Sequence, residues 1–92
     1  MKERVREEIV KLFLELGLKK TMLNDEEVFT DGKSYFCIVY IPSWETFIIE
    51  IAHSLEEAEK NMYNDSDRYY VSDGIDVIIE QVRKDMIKVL SE

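Results

Sequence analysis

Two strand-like runs, residues 34–41 and 44–51, flank Pro42 and Ser43, and no other stretch limits the fold of this chain as much. Both runs are rich in the β-branched and aromatic residues that pack well on a pleated surface. Pro42 supplies a fixed φ at a turn position without removing a donor from a central ladder. The reading is a hairpin over residues 33–53. Two strands alone are marginal in water, and these carry apolar residues on both faces, so helices must cover at least one of them.

A two-residue turn would set Ile41 opposite Trp44. In that register Tyr35, Cys37, Val39 and Ile41 share a face with Trp44, Thr46, Ile48 and Glu50, while Phe36, Ile38 and Tyr40 share the other with Glu45, Phe47, Ile49 and Ile51. A slip of one residue would exchange the faces of one strand, so the assignment depends on the turn. The face with Phe47, Ile49 and Ile51 is the more apolar and is expected to be the more buried. Thr46 and Glu50 interrupt the opposite face, which suits a partly open surface.

Helical periodicity supplies the cover. Val5, Ile9, Leu12, Phe13 and Leu16 recur at helical intervals over residues 2–16, with Gly17 placed to end the helix and Glu7 four residues before Lys11. A second stripe, Ile75, Ile78, Ile79, Val82, Met86, Val89 and Leu90, predicts a helix capped by Ser72 or Asp73 and ending at Leu90. Between hairpin and last helix, Ser54 with Glu57 forms a capping box for a short helix to about Met62, with Leu55, Ala58 and Met62 turned inward. The polar residues 61–67 then break the pattern. Before the hairpin, residues 27–30 form either a short strand closed by the Asp31-Gly32 turn or part of an irregular covering loop. The expected fold is therefore α+β: an antiparallel hairpin or three-stranded meander packed against N-terminal and C-terminal helices, with a short middle helix. Ninety-two residues, 46% of them hydrophobic, suit one such domain over residues 1–92.

Charge narrows the partners. Twelve Lys and Arg against 20 Asp and Glu give a net charge of −8. Residues 21–76 hold three basic and thirteen acidic side chains, a local −10, whereas residues 1–20 carry +2 and residues 77–92 are neutral. Such a balance opposes nucleic-acid phosphates and anionic membranes, and favours a basic protein. No apolar leader or membrane-length run is visible, so a cytoplasmic protein is expected. The lone Cys37 cannot form an internal disulfide and reads as a buried small hydrophobe.

Motifs for chemistry are weak. Asp73-Gly74 with Glu80 has the spacing of the end of a calcium loop, but Tyr69 and Val71 stand where the first carboxylates should be. Asp65 and Asp67 read as solvated loop carboxylates, and two side chains do not make a metal cage. His53 has no second histidine and no route to Cys37 as a nucleophilic pair. Gly17, Gly32 and Gly74 are isolated, which excludes a phosphate-cradling glycine loop. The sequence therefore predicts no catalytic residue, no metal and no cofactor.

What remains is a surface. Trp44, Tyr63, Tyr69 and Tyr70 stand near Glu56, Glu57, Glu59, Asp65 and Asp67, a mixture that can form a desolvated centre with an acidic rim. The expected function is an acidic protein-binding or inhibitory domain that engages a basic protein surface, with immunity and antitoxin proteins as the physical analogy. The alternatives are a homo-oligomeric module, such as a homodimer paired through a sheet face or edge, and a small enzyme with an unrecognised pocket.

Overall fold

The structure, a computed structural model, describes residues 2–92. Helix α1 (Lys2–Glu15) leads into five antiparallel strands, β1 (Lys19–Leu23), β2 (Glu26–Thr30), β3 (Tyr35–Ile41), β4 (Thr46–Ala52) and β5 (Asn64–Tyr70). The short α2 (Leu55–Glu59) lies between β4 and β5, and α3 (Ile75–Leu90) closes the chain. The sheet order is β1-β2-β3-β4-β5, so every strand pairs with its neighbour in sequence. The fold is α+β, with the antiparallel sheet flanked by N- and C-terminal helices and the short middle helix, as the sequence predicts.

The meander has two more strands than the three expected. β1 arises because Asn24 and Asp25 both take positive φ, 54° and 63°, in a two-residue turn between the paired residues Leu23 and Glu26. That geometry matches the twist of a hairpin, and Asn and Asp tolerate it better than most residues. The next turn is closed by Asp31, whose Oδ1 accepts from the backbone N–H groups of Lys33 at 2.9 Å and Ser34 at 2.8 Å. Burial alone would push the Asp31 carboxyl up, but the Ser34 and Lys33 amides hold it below the usual carboxylate range.

At the central hairpin the turn is longer than Pro42-Ser43. Pro42–Trp44 forms one 3-10 turn, and Glu45 reverses the chain in the left-handed region at φ 45°. Ile41 therefore pairs with Thr46 and not with Trp44. The shift is two residues, an even number, so both predicted faces survive. Trp44 and Glu45 leave the strand and join the loop.

Both long helices pack on the face that carries Phe36, Phe47, Ile49 and Ile51. Val5, Ile9, Leu12 and Phe13 of α1 and Ile78, Val82 and Met86 of α3 form one buried cluster with those residues, Phe29 and Tyr69. The Phe13 ring meets Phe29 edge-on at 5.3 Å, which locks α1 over β2. Helix α1 ends in a Schellman motif: the Leu18 N–H donates to Phe13 O and the Gly17 N–H to Leu14 O, both at 3.1 Å, with Gly17 at φ 89°. Leu18 and Phe13 are both buried in the cluster, which completes the cap. Lys11 pairs with Glu8 at 3.5 Å, not with the predicted Glu7.

The remaining helix ends differ in detail from the sequence reading. Helix α2 stops at Glu59, and of the three residues expected inward only Ala58 is buried; Leu55 and Met62 are exposed. Ser54 accepts from the Glu57 N–H at 3.1 Å as a cap should, and Glu57 reaches back to the N–H of His53 at 3.0 Å. Ser72 and Asp73 do not cap α3. Val71–Asp73 forms a 3-10 turn, and Gly74 at φ 90° stands at the N-cap without a side-chain bond.

Candidate functional site

The sheet has two unlike faces. One lies under α1 and α3; the other carries α2 over part of its area. Asn24 fixes α2 by donating to the carbonyls of Ala58 at 3.2 Å and Glu59 at 3.1 Å. Past the helix, the Tyr63 hydroxyl lies beside the Cys37 thiol. Burial pushes that thiol up, with Glu26 and Glu50 adding to the effect and Tyr63 opposing it. Burial and the contact with Cys37 also raise Tyr63 well above the usual phenol range. Cys37 is free and buried, as its sequence setting implies.

Strand pairing arranges the rest of this second face in rows. Ile41, Thr46 and Tyr70 form the first row, Val39, Ile48 and Arg68 the next, and Cys37, Glu50 and Asp65 the third. Beside the first row stands the Pro42–Trp44 turn, where Trp44 is 54% exposed; Tyr70 is 45% exposed. Val39 and Ile41 are half-buried. Arg68 holds its guanidinium carbon 4.8 Å from the centre of the Trp44 ring, a cation–π contact.

The third row sets two carboxylates directly opposite each other. Glu50 pairs with Asp65 across β4 and β5, and like charges at such positions oppose sheet pairing. Burial first, then Asp65 and Glu26, raise the Glu50 carboxyl above its ordinary range. Among the described residues, Glu26, Glu50 and Asp65 form no ion pair. Glu27, the next residue along β2 and so on the opposite face, has two: Arg6 at 3.4 Å and Lys20 at 3.7 Å.

A register shift between β4 and β5, after Ile48 and before Glu50, separates the two aspartates of Asp65-Ser66-Asp67. Without it they would share a face; with it, Asp65 meets Glu50 while Asp67 meets Asp85 on α3. The neighbouring Asp85 pushes the Asp67 carboxyl up, burial adds to this, and Lys88 opposes it. Tyr69 donates to Asp85 Oδ2 at 2.6 Å; burial first, then Asp85, raise its phenol beyond the usual range. These groups line a shallow cleft of about 280 Å³ between β5 and α3.

The sequence-predicted residues thus divide. Trp44, Tyr63, Tyr70 and Asp65 lie on or beside the second face. Tyr69 is a core residue, 2% exposed, and is not available as a surface anchor. Asp67 is turned toward α3. On α2, Glu56 is exposed and binds Lys60 at 2.9 Å, Glu59 is exposed, and the Glu57 carboxylate is engaged in the cap. Sequence reasoning missed Glu26, Val39, Ile48 and Arg68 as site residues. It missed Glu50 as well, although this is the one charge inside the apolar β4.

The fold and this face define a helix-backed, five-stranded antiparallel sheet whose other face buries Thr46 and Ile48 and leaves Val39, Ile41 and Glu50 partly exposed. Compared with protein-family models, curated proteins and solved structures, the chain has no match. No helix among the described residues is long and apolar enough to cross a membrane, and no group of three or more His, Cys, Asp or Glu among them could hold a metal ion.

Proposed function

We propose that this protein is an acidic binding domain that engages a basic protein surface. The observation that carries the reading is how charge divides between the layers. Helix α1 has four basic and four acidic residues, and α3 has three of each. The net −8 therefore resides wholly in the sheet, its connections, α2 and the chain end, where five basic residues face thirteen acidic ones. A charge spread only for solubility has no reason to spare both long helices. An uneven field of this kind steers a basic partner and repels nucleic acid and anionic lipid. Occlusion of a basic groove, in the manner of an immunity or antitoxin protein, is the form of inhibition such a field suits.

The test is association with the product of the adjacent gene, measured at ~50 mM and ~300 mM salt, where the screening length falls from above ~10 Å to below it. Binding that weakens as salt rises is the expected result. The triple variant E56K/E57K/E59K is expected to slow association more than it speeds dissociation. Salt-independent association, or none, overturns the reading.

A further inference from the structure

Building on that reading, we propose that the partly exposed strip of the second sheet face around Val39, Ile41 and Glu50 is the docking surface and that its occupant is a basic, partly aliphatic segment of a partner protein. Val39 and Ile41, half-buried beside the buried Ile48, would take the aliphatic side chains, and Glu50 with Asp65 a lysine or arginine.

Charge complementarity selects this occupant. Arg68 is the only basic residue on β2 through β5. It lies on the Trp44 ring and forms no ion pair among the described residues, although Asp65 and Glu50 occupy the adjoining row. The carboxylates of this face are left without a cation of their own, beside half-buried aliphatic residues. On the helix-covered side the opposite holds, with Glu27 engaged by two cations. A cation from outside therefore completes the second face. A second copy is the poorer source, because its face brings the same carboxylates and, on β5, only Arg68, which already lies on Trp44.

Trp44 is the sole tryptophan and borders the surface, so its emission reports occupancy. The probe is a short peptide alternating lysine and leucine, with lysine–serine and glutamate–leucine peptides as controls. The lysine–leucine peptide is expected to shift Trp44 emission and to bind at least about tenfold more tightly than either control. V39T and E50Q/D65N, checked as folded by circular dichroism, are expected to lose about tenfold in affinity, and E56Q/E59Q on α2 much less.

Equal loss in the α2 variant with none in the face variants overturns the surface while leaving an acidic binding domain in place. Failure of both lysine peptides to bind at low salt overturns the surface and the parent reading together. Tighter binding of the glutamate peptide, or a dimer whose dissociation on dilution uncovers Trp44, overturns the proposed occupant.

Discussion

Neutralising Glu50 should make the protein more stable near neutral pH, and the paired strands set the size of the gain. Glu50 sits opposite Asp65 with no cation partner among the described residues. Its carboxyl is raised above the ordinary 4.5 by burial first and by Asp65 and Glu26 next. A carboxyl raised on folding binds its proton more tightly in the folded state. Its contribution to stability is fully present below about pH 4.5 and is lost as pH rises through the folded value. Near pH 7 the fold therefore carries an unfavourable charge. Opposed like charges on neighbouring strands cost about 0.2–1 kcal/mol, and partial exposure places this pair in the lower half of that range. Relief of burial brings the expected gain for E50Q to about 0.5–1 kcal/mol, or about 2–6 °C in melting temperature for a domain of this size. Thermal unfolding followed by circular dichroism near pH 7 and again near pH 4 should show the gain at the first and little at the second. D65N should give a smaller gain, since it removes only the repulsion, and almost none in the E50Q background. A D65N gain that persists undiminished in E50Q, or an E50Q protein less stable than wild type near neutral pH, would refute the reasoning.

Further substitutions probe other parts of the fold by urea unfolding. Y69F removes the 2.6 Å bond to Asp85 and should cost about 1–3 kcal/mol, because the acceptor is a charged group in a partly buried setting. G17A forces a Cβ into the left-handed region at φ 89° with no atom within 4 Å of it, so the loss of about 1 kcal/mol should come from the backbone alone. I78A empties a fully buried position in the α3 stripe and should cost about 2–5 kcal/mol, a large share of the ~5–15 kcal/mol that such domains possess. A cost below that of Y69F would mean that Ile78 is not central to the core.

The elements that could be read from sequence are those whose residues repeat with a clear period. The α1 and α3 stripes are visible at helical spacing, and all their predicted positions are buried or half-buried. The faces of the central hairpin were readable although the turn was not, because alternation depends on whether a register shift is odd or even. β1 gave no alternation, since Lys19 through Met22 are all exposed; its only cue was Asn24-Asp25, a weaker turn signal than Asn-Gly. β5 has a single buried residue, Tyr69, and a bulge that breaks its period. The same bulge explains the divided site. Asp65 and Asp67 look like companions two residues apart, yet they face different layers. Arg68 could not be placed on Trp44 from sequence, because that contact joins a loop to a strand more than twenty residues later.

Edge pairing is the other route by which an exposed sheet recruits a partner, and both edges here resist it. β1 presents Lys19 and Lys20, and β5 presents Asp65, Asp67 and Arg68 beside its bulge. Charges and bulges at an edge disfavour an added strand. With one face sealed by α1 and α3 and both edges guarded, the partly exposed strip around Val39, Ile41 and Glu50 is the part of the sheet left for recognition. Its acidic row is also unfavourable for folding, since Glu50 and Asp65 repel each other across paired strands. A function that uses those carboxylates gives a reason for keeping them, and it makes a joint demand: E50Q must gain stability and lose affinity for a basic segment in the same protein.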